Sequence, residues 1–153
     1  MKRIFTACLI AMFFAVTTSA ITIDETTEKK WSAVITAIAQ VESKGNPNTV
    51  SKCGRYVGYL QISKVLVQQC NRILGKQVYT YDDRKDKRKS IEMFIVYQEH
   101  FNQEGNIEKA IRLWNSGDIR CMSRKAATNG YYRKVMSKFT TEAAEHYERA
   151  ELY

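Results

Sequence analysis

Apolar residues recur at helical spacing along most of the chain, and the first such stretch lies between Glu28 and Glu42. Thr27 is expected to cap this helix. The predicted inward positions are Trp31, Val34, Ile35, Ile38 and Val41. Glu42 falls on the last turn. The turn sequence Asn46-Pro47-Asn48 follows, and proline cannot continue a helix, so the pattern predicts that the helix ends here.

Turn signals separate the later helical patterns. A second helix is predicted from its cap at Ser63 to Leu74, with Gly75 at the C-terminal glycine position. A third covers 88–102, and a fourth is capped by Asn106. The predicted inward positions of these three helices are Val65, Leu66, Cys70, Ile73, Ile91, Phe94, Ile95, Gln98, Phe101, Ile107, Ala110, Ile111 and Trp114.

The end of the chain predicts two more helices, one from about Tyr131 and a charged terminal one from Thr140 or Thr141. Strand signals are confined to the short, glycine-broken segment YVGYLQI at 56–62. The whole pattern predicts a mostly α domain with one small β-hairpin.

The first twenty residues differ from the rest of the chain. Lys2 and Arg3 precede an apolar run over 4–16, and the small residues Ser19 and Ala20 follow it. This arrangement is typical of a secretory signal peptide, with an uncleaved N-terminal anchor as the alternative. We expect a signal peptide at 1–20 and a single mature domain at 21–153. We also expect export to the periplasm or cell envelope, without stable membrane insertion after cleavage.

The charge balance bears on the class of partner. The formal charge of +8 falls to +6 once Lys2 and Arg3 are removed. A basic exported protein is attracted to anionic polymers such as cell-wall material, whereas export argues against a nucleic-acid partner. The densest charge run, at 82–90, mixes both signs and is expected to be a solvated helix face.

Three cysteines follow the predicted leader: Cys53, Cys70 and Cys121. An odd number permits at most one internal disulfide, and the sequence leaves the pairing open. The spacings match no zinc site, and neither His100 nor His146 lies in a nucleophile motif. No metal or cofactor is expected.

Glu42 has no acidic neighbour, because no aspartate or glutamate occurs from Ser43 to Tyr81. Glycosidic cleavage normally uses two carboxylates about 5–9 Å apart. If Glu42 acts on a glycosidic bond, either a distant acid folds back or the substrate supplies the nucleophile. The alternative is a solvated glutamate at a helix end. Lys44 is expected to point to solvent.

Three segments resemble the soluble lytic transglycosylases and goose-type lysozymes, in the correct order over about 30–139. The residues of the first motif are Glu42, Ser43, Asn46, Pro47, Ser51, Gly54, Gly58, Leu60 and Gln61. Those of the second and third are Trp114, Asn115, Gly117, Tyr131 and Val135. The chain departs from the family pattern at Val57, at Tyr59, at Trp114 in place of tyrosine, and at Tyr132, which rivals Tyr131.

The resemblance implies a lysozyme-like helical domain with the hairpin beside the active site. It implies a peptidoglycan lytic transglycosylase that cleaves the β-1,4 bond between N-acetylmuramic acid and N-acetylglucosamine and leaves a 1,6-anhydro product. Glu42 would be the single catalytic acid, hydrogen-bonded by Tyr131. The implied substrate-binding residues are Ser51, Gly58, Tyr59, Gln61, Asn115 and Tyr131.

Two alternatives stay open beside this interpretation. A hydrolytic lysozyme of the same fold would need a second carboxylate, for which Asp82, Asp83 and Asp118 are candidates. A non-catalytic module that binds peptidoglycan glycan strands would need none. Tyr59 is expected to stack on a sugar ring or to be an ordinary surface aromatic, and Trp31 and Trp114 are expected in the core. The sequence does not indicate any envelope-spanning partner machinery.

Overall fold

The computed structural model of the chain describes residues 23–139, and it is mostly helical with a small two-stranded antiparallel sheet, as the sequence predicts. The elements are α1 (Glu25–Glu42), β1 (Tyr56–Val57), β2 (Ile62–Ser63), α2 (Lys64–Ile73), α3 (Lys87–Phe101), α4 (Ile107–Ser116) and α5 (Lys125–Met136). Short 3-10 turns lie at Asp82–Lys85 and Cys121–Arg124. The predicted signal peptide and the predicted terminal helix lie outside the described residues.

Helix α1 runs through the centre of the core and contacts α3, α4 and α5. The Trp31 side chain is fully buried, and its ring meets the ring of Phe94 edge-on at 5.9 Å between centroids. The Trp31 indole N–H donates a 2.7 Å hydrogen bond to Glu99. No helix in the range 23–139 is long and apolar enough to cross a bilayer.

Helix α1 begins three residues before the predicted start. Asp24, not Thr27, is the N-cap, and its carboxylate accepts hydrogen bonds from both the backbone N–H and the hydroxyl of Thr27. A threonine within the first turn of a helix has the same local signal as a cap, so the sequence pattern favoured the wrong residue.

Helix α2 has the predicted cap but a rotated face. The Ser63 hydroxyl accepts from the Leu66 N–H at 3.2 Å. Val65 was expected inside but is 67% exposed, whereas Val67 is buried. Helical spacing alone does not determine which side of this helix meets the core.

The charge run at 82–90 is only partly a solvated face. Arg84 is buried, donates from Nε to the Tyr81 carbonyl at 2.6 Å, and reaches the Ile62 carbonyl with Nη1 at 3.4 Å. Ser90 is also buried and donates to the Arg84 carbonyl. The run therefore packs against the hairpin because the Arg84 guanidinium satisfies backbone carbonyls there.

Helix α5 begins at Lys125, six residues before the predicted start near Tyr131, and Gly130 lies within it. Arg112 of α4 holds the first turn of α5: its buried guanidinium donates to the Lys125 carbonyl at 2.9 Å and to the Thr128 hydroxyl at 2.8 Å. Glu108 accepts from the same guanidinium at 2.8 Å.

The three cysteines of the described residues are all unpaired. Cys70 and Cys121 are buried, and burial raises the pKa of the Cys70 thiol to about 12. Cys53 is exposed, and hydrogen bonds with Ser51 and Arg55 lower the pKa of its thiol to about 6.

Candidate active site

The end of α1 is tied to the hairpin by the residue that follows Glu42. The buried Ser43 is the C-cap of α1, and its N–H donates to the Ala39 carbonyl at 3.0 Å. Its hydroxyl lies 2.7 Å from the Tyr59 carbonyl, to which it donates. Ser43 therefore fixes the position from which the Glu42 side chain projects. Lys44, the next residue, is exposed as expected.

Tyr131 of α5 meets Glu42 directly. Its hydroxyl donates a 2.6 Å hydrogen bond to Glu42 Oε1, across 89 positions of sequence. Tyr132 points elsewhere: the Arg112 guanidinium lies over its ring at 4.5 Å from the centroid. The geometry thus distinguishes the two adjacent tyrosines, and only Tyr131 contacts the glutamate.

The half-buried position of Glu42 alters its acidity. Burial raises the pKa of the Glu42 carboxyl, and the hydrogen bond from Tyr131 opposes this by lowering it. The net direction is upward, because desolvation of a carboxylate outweighs one hydrogen bond here. The pKa of Tyr131 is also raised, first by burial and then by the neighbouring Glu42 charge. Tyr131 therefore stays a protonated donor near neutral pH.

Glu42 and Tyr131 lie in a cleft of about 790 Å³. Its polar lining residues, besides these two, are Ser51, Tyr56, Gln61, Ser63, Gln69, Asn115, Ser116 and Lys134. Its other lining residues are Val41, Ile62, Val65, Leu66, Tyr97, Phe101, Leu113, Trp114, Gly117 and Ile119. A cleft of this size with mixed lining suits an organic ligand larger than a single small metabolite.

Part of the cleft wall is aromatic and continuous with the core. Trp114 packs on Phe94 with 5.0 Å between ring centroids, and Tyr97 lies edge-on to Trp114 at 6.4 Å and to Phe101 at 5.0 Å. Trp114 was expected to be a core residue, and it is half-buried with one side on the core and one on the cleft. Aromatic rings held this way offer flat apolar faces to a sugar.

The hairpin and the loop before it contribute polar side chains to the cleft lining. Gln61 adopts a left-handed backbone conformation, with φ of 51°, and its side-chain amide donates to the Thr49 and Gly58 carbonyls at 3.0 Å each. A non-glycine residue at this φ is strained, and such strain is typical of functional sites. Ser51 also lines the cleft, and its hydroxyl accepts from the Tyr56 N–H at 3.0 Å.

Gly58 and Tyr59 do not line the cleft. Gly58 is buried with φ of 89°, and a Cβ there would come within 1.6 Å of the Arg84 carbonyl oxygen. Tyr59 is only 6% exposed and belongs to the core, with the Lys87 ammonium over its ring. Tyr59 was expected at the surface, either as an ordinary aromatic residue or stacked on a sugar ring, and this expectation is wrong because its side chain is buried. Gly58 allows the hairpin to approach the 3-10 turn and shapes the site indirectly.

The remaining predicted site residue, Asn115, is exposed on the last turn of α4 and lines the cleft. Gly117 follows as the C-cap in a left-handed conformation. The sequence did not identify Lys134, Val65 or Ile119 as residues that line the cleft, and Val65 and Ile119 are both exposed. Lys134 had an available signal, because it lies one helical turn after Tyr131 and therefore on the same face of α5.

Glu42 is the one carboxylate among the described residues that line the cleft. The three aspartates considered as partners lie elsewhere. Asp83 accepts from the backbone N–H and hydroxyl of Thr80, and Asp118 pairs with Arg120 and Arg124. Asp82 is exposed in the 3-10 turn. The described lining of the cleft therefore contains one carboxyl group, that of Glu42.

Comparison with protein-family models matches the Transglycosylase SLT domain over residues 19–136, which is more than half of the chain. Comparisons with curated proteins and with solved structures found no significant match.

Proposed function

The chain belongs to the transglycosylase SLT domain family, and from this premise we propose that it is a peptidoglycan lytic transglycosylase with Glu42 as its single catalytic acid. The Glu42 carboxyl group supports this most directly, because it is half-buried, accepts a 2.6 Å hydrogen bond from Tyr131 and has a raised pKa. Peptidoglycan glycan strands are the substrate that the family implies.

The proposed reaction needs only one protein carboxyl group. Protonated Glu42 gives its proton to the glycosidic oxygen while the bond from that oxygen to C1 of the muramyl sugar breaks. The C6 hydroxyl of the same sugar then attacks C1, and Glu42 takes the hydroxyl proton. The C1–O6 bond completes a 1,6-anhydro ring, Glu42 is protonated again, and no water is consumed. A raised pKa favours the first step, because it keeps more of the acid protonated near neutral pH.

The absence of a second carboxylate from the described cleft favours this reaction over hydrolysis. An inverting or retaining hydrolase places its second carboxylate about 5–9 Å from the first. The cleft lining does not include Asp82, Asp83 or Asp118. Asp83 accepts a hydrogen bond from Thr80, and Asp118 forms a salt bridge with Arg120. An attacking hydroxyl from the substrate removes the need for that group.

The test is product analysis on purified sacculi. The unmodified chain should release muropeptides with 1,6-anhydro ends, identified by mass spectrometry. Glu42→Gln keeps an oxygen that can accept from Tyr131, and it should retain less than about 1% of the activity, since general acid–base groups contribute about 10²–10⁴-fold. Glu104→Gln, an exposed carboxylate paired with Lys109, is the control that should retain activity.

Two other results would contradict the proposal. Reducing ends would identify a hydrolytic lysozyme, and binding to sacculi without any soluble product would identify a wall-binding module. Substantial activity in Glu42→Gln would place the chemistry on another residue.

We also propose that the chain is exported to the cell envelope, on the sequence of residues 1–20 alone. Expression in a bacterial host followed by N-terminal sequencing should give a chain that begins at Ile21 in the periplasmic or extracellular fraction. An unprocessed chain in the membrane fraction would instead indicate an anchor.

A further inference from the structure

Two charged side chains line the described cleft. Glu42 is the only carboxylate among the described lining residues, and Lys134 is the only cation. The other described lining side chains are uncharged. Lys134 is therefore the one described lining residue whose charge attracts an anionic group of a ligand.

Lys134 has no ion-pair partner among residues 23–139. The salt bridges of this region involve other cations, including Lys125 with Glu108 and Lys109 with Glu104. Lys134 is exposed on α5 and lines the cleft, so its side chain lies within reach of a ligand bound there.

The place of Lys134 on α5 relates it to the proposed catalytic acid. Lys134 and Tyr131 are three positions apart on one helix, so their side chains lie on one face. The hydrogen bond from Tyr131 to Glu42 fixes that face against the acid. Lys134 therefore lines the same cleft as the Glu42 carboxyl, on the helix face that carries Tyr131.

We propose that Lys134 binds a carboxylate carried by a muramyl residue of the glycan strand, an inference that rests on the proposed function. The backbone sugars of peptidoglycan are uncharged at their ring hydroxyls and acetamido groups. The anionic groups are carboxylates on the muramyl side: the lactyl carboxylate of a peptide-free strand, or carboxylates of the stem peptide. A lysine ammonium pairs with either as a point charge.

The test measures binding in the Glu42→Gln chain, which does not consume the ligand. Three tetrasaccharides distinguish the sources: one with stem peptides, one peptide-free with lactyl carboxylates, and a chito-oligosaccharide without carboxylates. Adding Lys134→Gln should weaken binding of at least one carboxylate-bearing ligand by about three- to tenfold at low salt. That difference should shrink at high salt, because a partly exposed ion pair is screened. Binding of the chito-oligosaccharide should not change.

The pattern of losses identifies the source. A loss only with stem peptides assigns the peptide carboxylates, and a loss with the peptide-free strand assigns the lactyl group. Lys134→Arg should restore most of the affinity, and Lys138→Gln, an exposed lysine that does not line the cleft, is the matched control.

Equal affinities in the Lys134→Gln chain, or an equal loss with the chito-oligosaccharide, would overturn the inference. Failure of the proposed function appears separately, as the absence of soluble product when sacculi are treated with the unmodified chain.

Discussion

The hydrogen bond between Tyr131 and Glu42 gives the sharpest test of how the cleft sets the acidity of the Glu42 carboxyl. Tyr131→Phe removes the hydroxyl and keeps the ring. The 2.6 Å distance is typical of a charge-assisted O–H···O bond. Hydrogen bonds to charged groups contribute about 1.5–3 kcal/mol, and the lower end applies because Glu42 is only half-buried.

The direction of the effect on activity follows from the pKa. The Tyr131 hydrogen bond lowers the pKa of Glu42 against the effect of burial, so its removal raises that pKa. A proton donor is lost as pH rises through its pKa, so the alkaline limb of the pH–activity profile should move to higher pH in Tyr131→Phe. At the optimum, kcat should fall about tenfold, equivalent to about 1.4 kcal/mol of lost positioning.

Stability gives an independent measurement of the same bond. A carboxyl with a raised folded-state pKa contributes stability below its unfolded pKa and loses it as pH rises through the folded pKa. Because Tyr131→Phe raises the folded pKa of Glu42 further, its stability deficit should grow from acidic to neutral pH. A double-mutant cycle with Glu42→Ala, which removes the acceptor oxygen, should give a coupling energy of about 1–2 kcal/mol at neutral pH when measured by urea unfolding.

Tyr132→Phe is the matched control, because that ring lies under Arg112 and its hydroxyl does not contact Glu42. It should leave the alkaline limb in place. An alkaline limb that stays fixed or moves downward in Tyr131→Phe would refute the reasoning, as would a coupling energy near zero.

Three further outcomes test the surroundings of the cleft. Iodoacetamide should alkylate Cys53 in the folded chain with a rate that rises through about pH 6, whereas the buried Cys70 should react only after unfolding; equal rates would contradict the fold. Gly58→Ala should cost about 3 kcal/mol or more in urea unfolding, because its Cβ meets the Arg84 carbonyl. Gly54→Ala should cost only about 1 kcal/mol, since it has a positive φ but open space. Arg112→Met should lower the free energy of unfolding by about 2–4 kcal/mol and reduce activity. A loss below about 0.5 kcal/mol would mean that the Arg112 hydrogen bonds do not stabilise the packing of α5 on α4.

Elements with strong local signals were predictable from the sequence. The inward stripes of α1 and α3 follow from helical spacing, and the caps Ser63 and Asn106 each accept the expected backbone N–H. Gly117 ends α4 in the left-handed conformation that glycine favours. In each case the determining interactions lie within a few residues, which is the range over which sequence patterns are informative.

Features set by distant contacts were not predictable in the same way. Tyr59 looked available for a sugar, but burial of the hairpin against the segment that contains Arg84 turns it inward. The start of α5 depends on Arg112 of the preceding helix. The pairing of Glu42 with Tyr131 came only from the family resemblance, because no local pattern connects residues so far apart.

The Tyr131 hydrogen bond opposes the rise in the pKa of Glu42, yet it is compatible with the proposed role of Glu42 as the acid. Its own pKa is raised, so its hydroxyl stays protonated throughout the range in which Glu42 titrates. It therefore donates to Oε1 whether the carboxyl is neutral or ionised. With Oε1 occupied by a donor, we expect the neutral acid to carry its proton on Oε2. In the proposed reaction, burial would set how much of the acid is protonated, and Tyr131 would select the oxygen that delivers the proton.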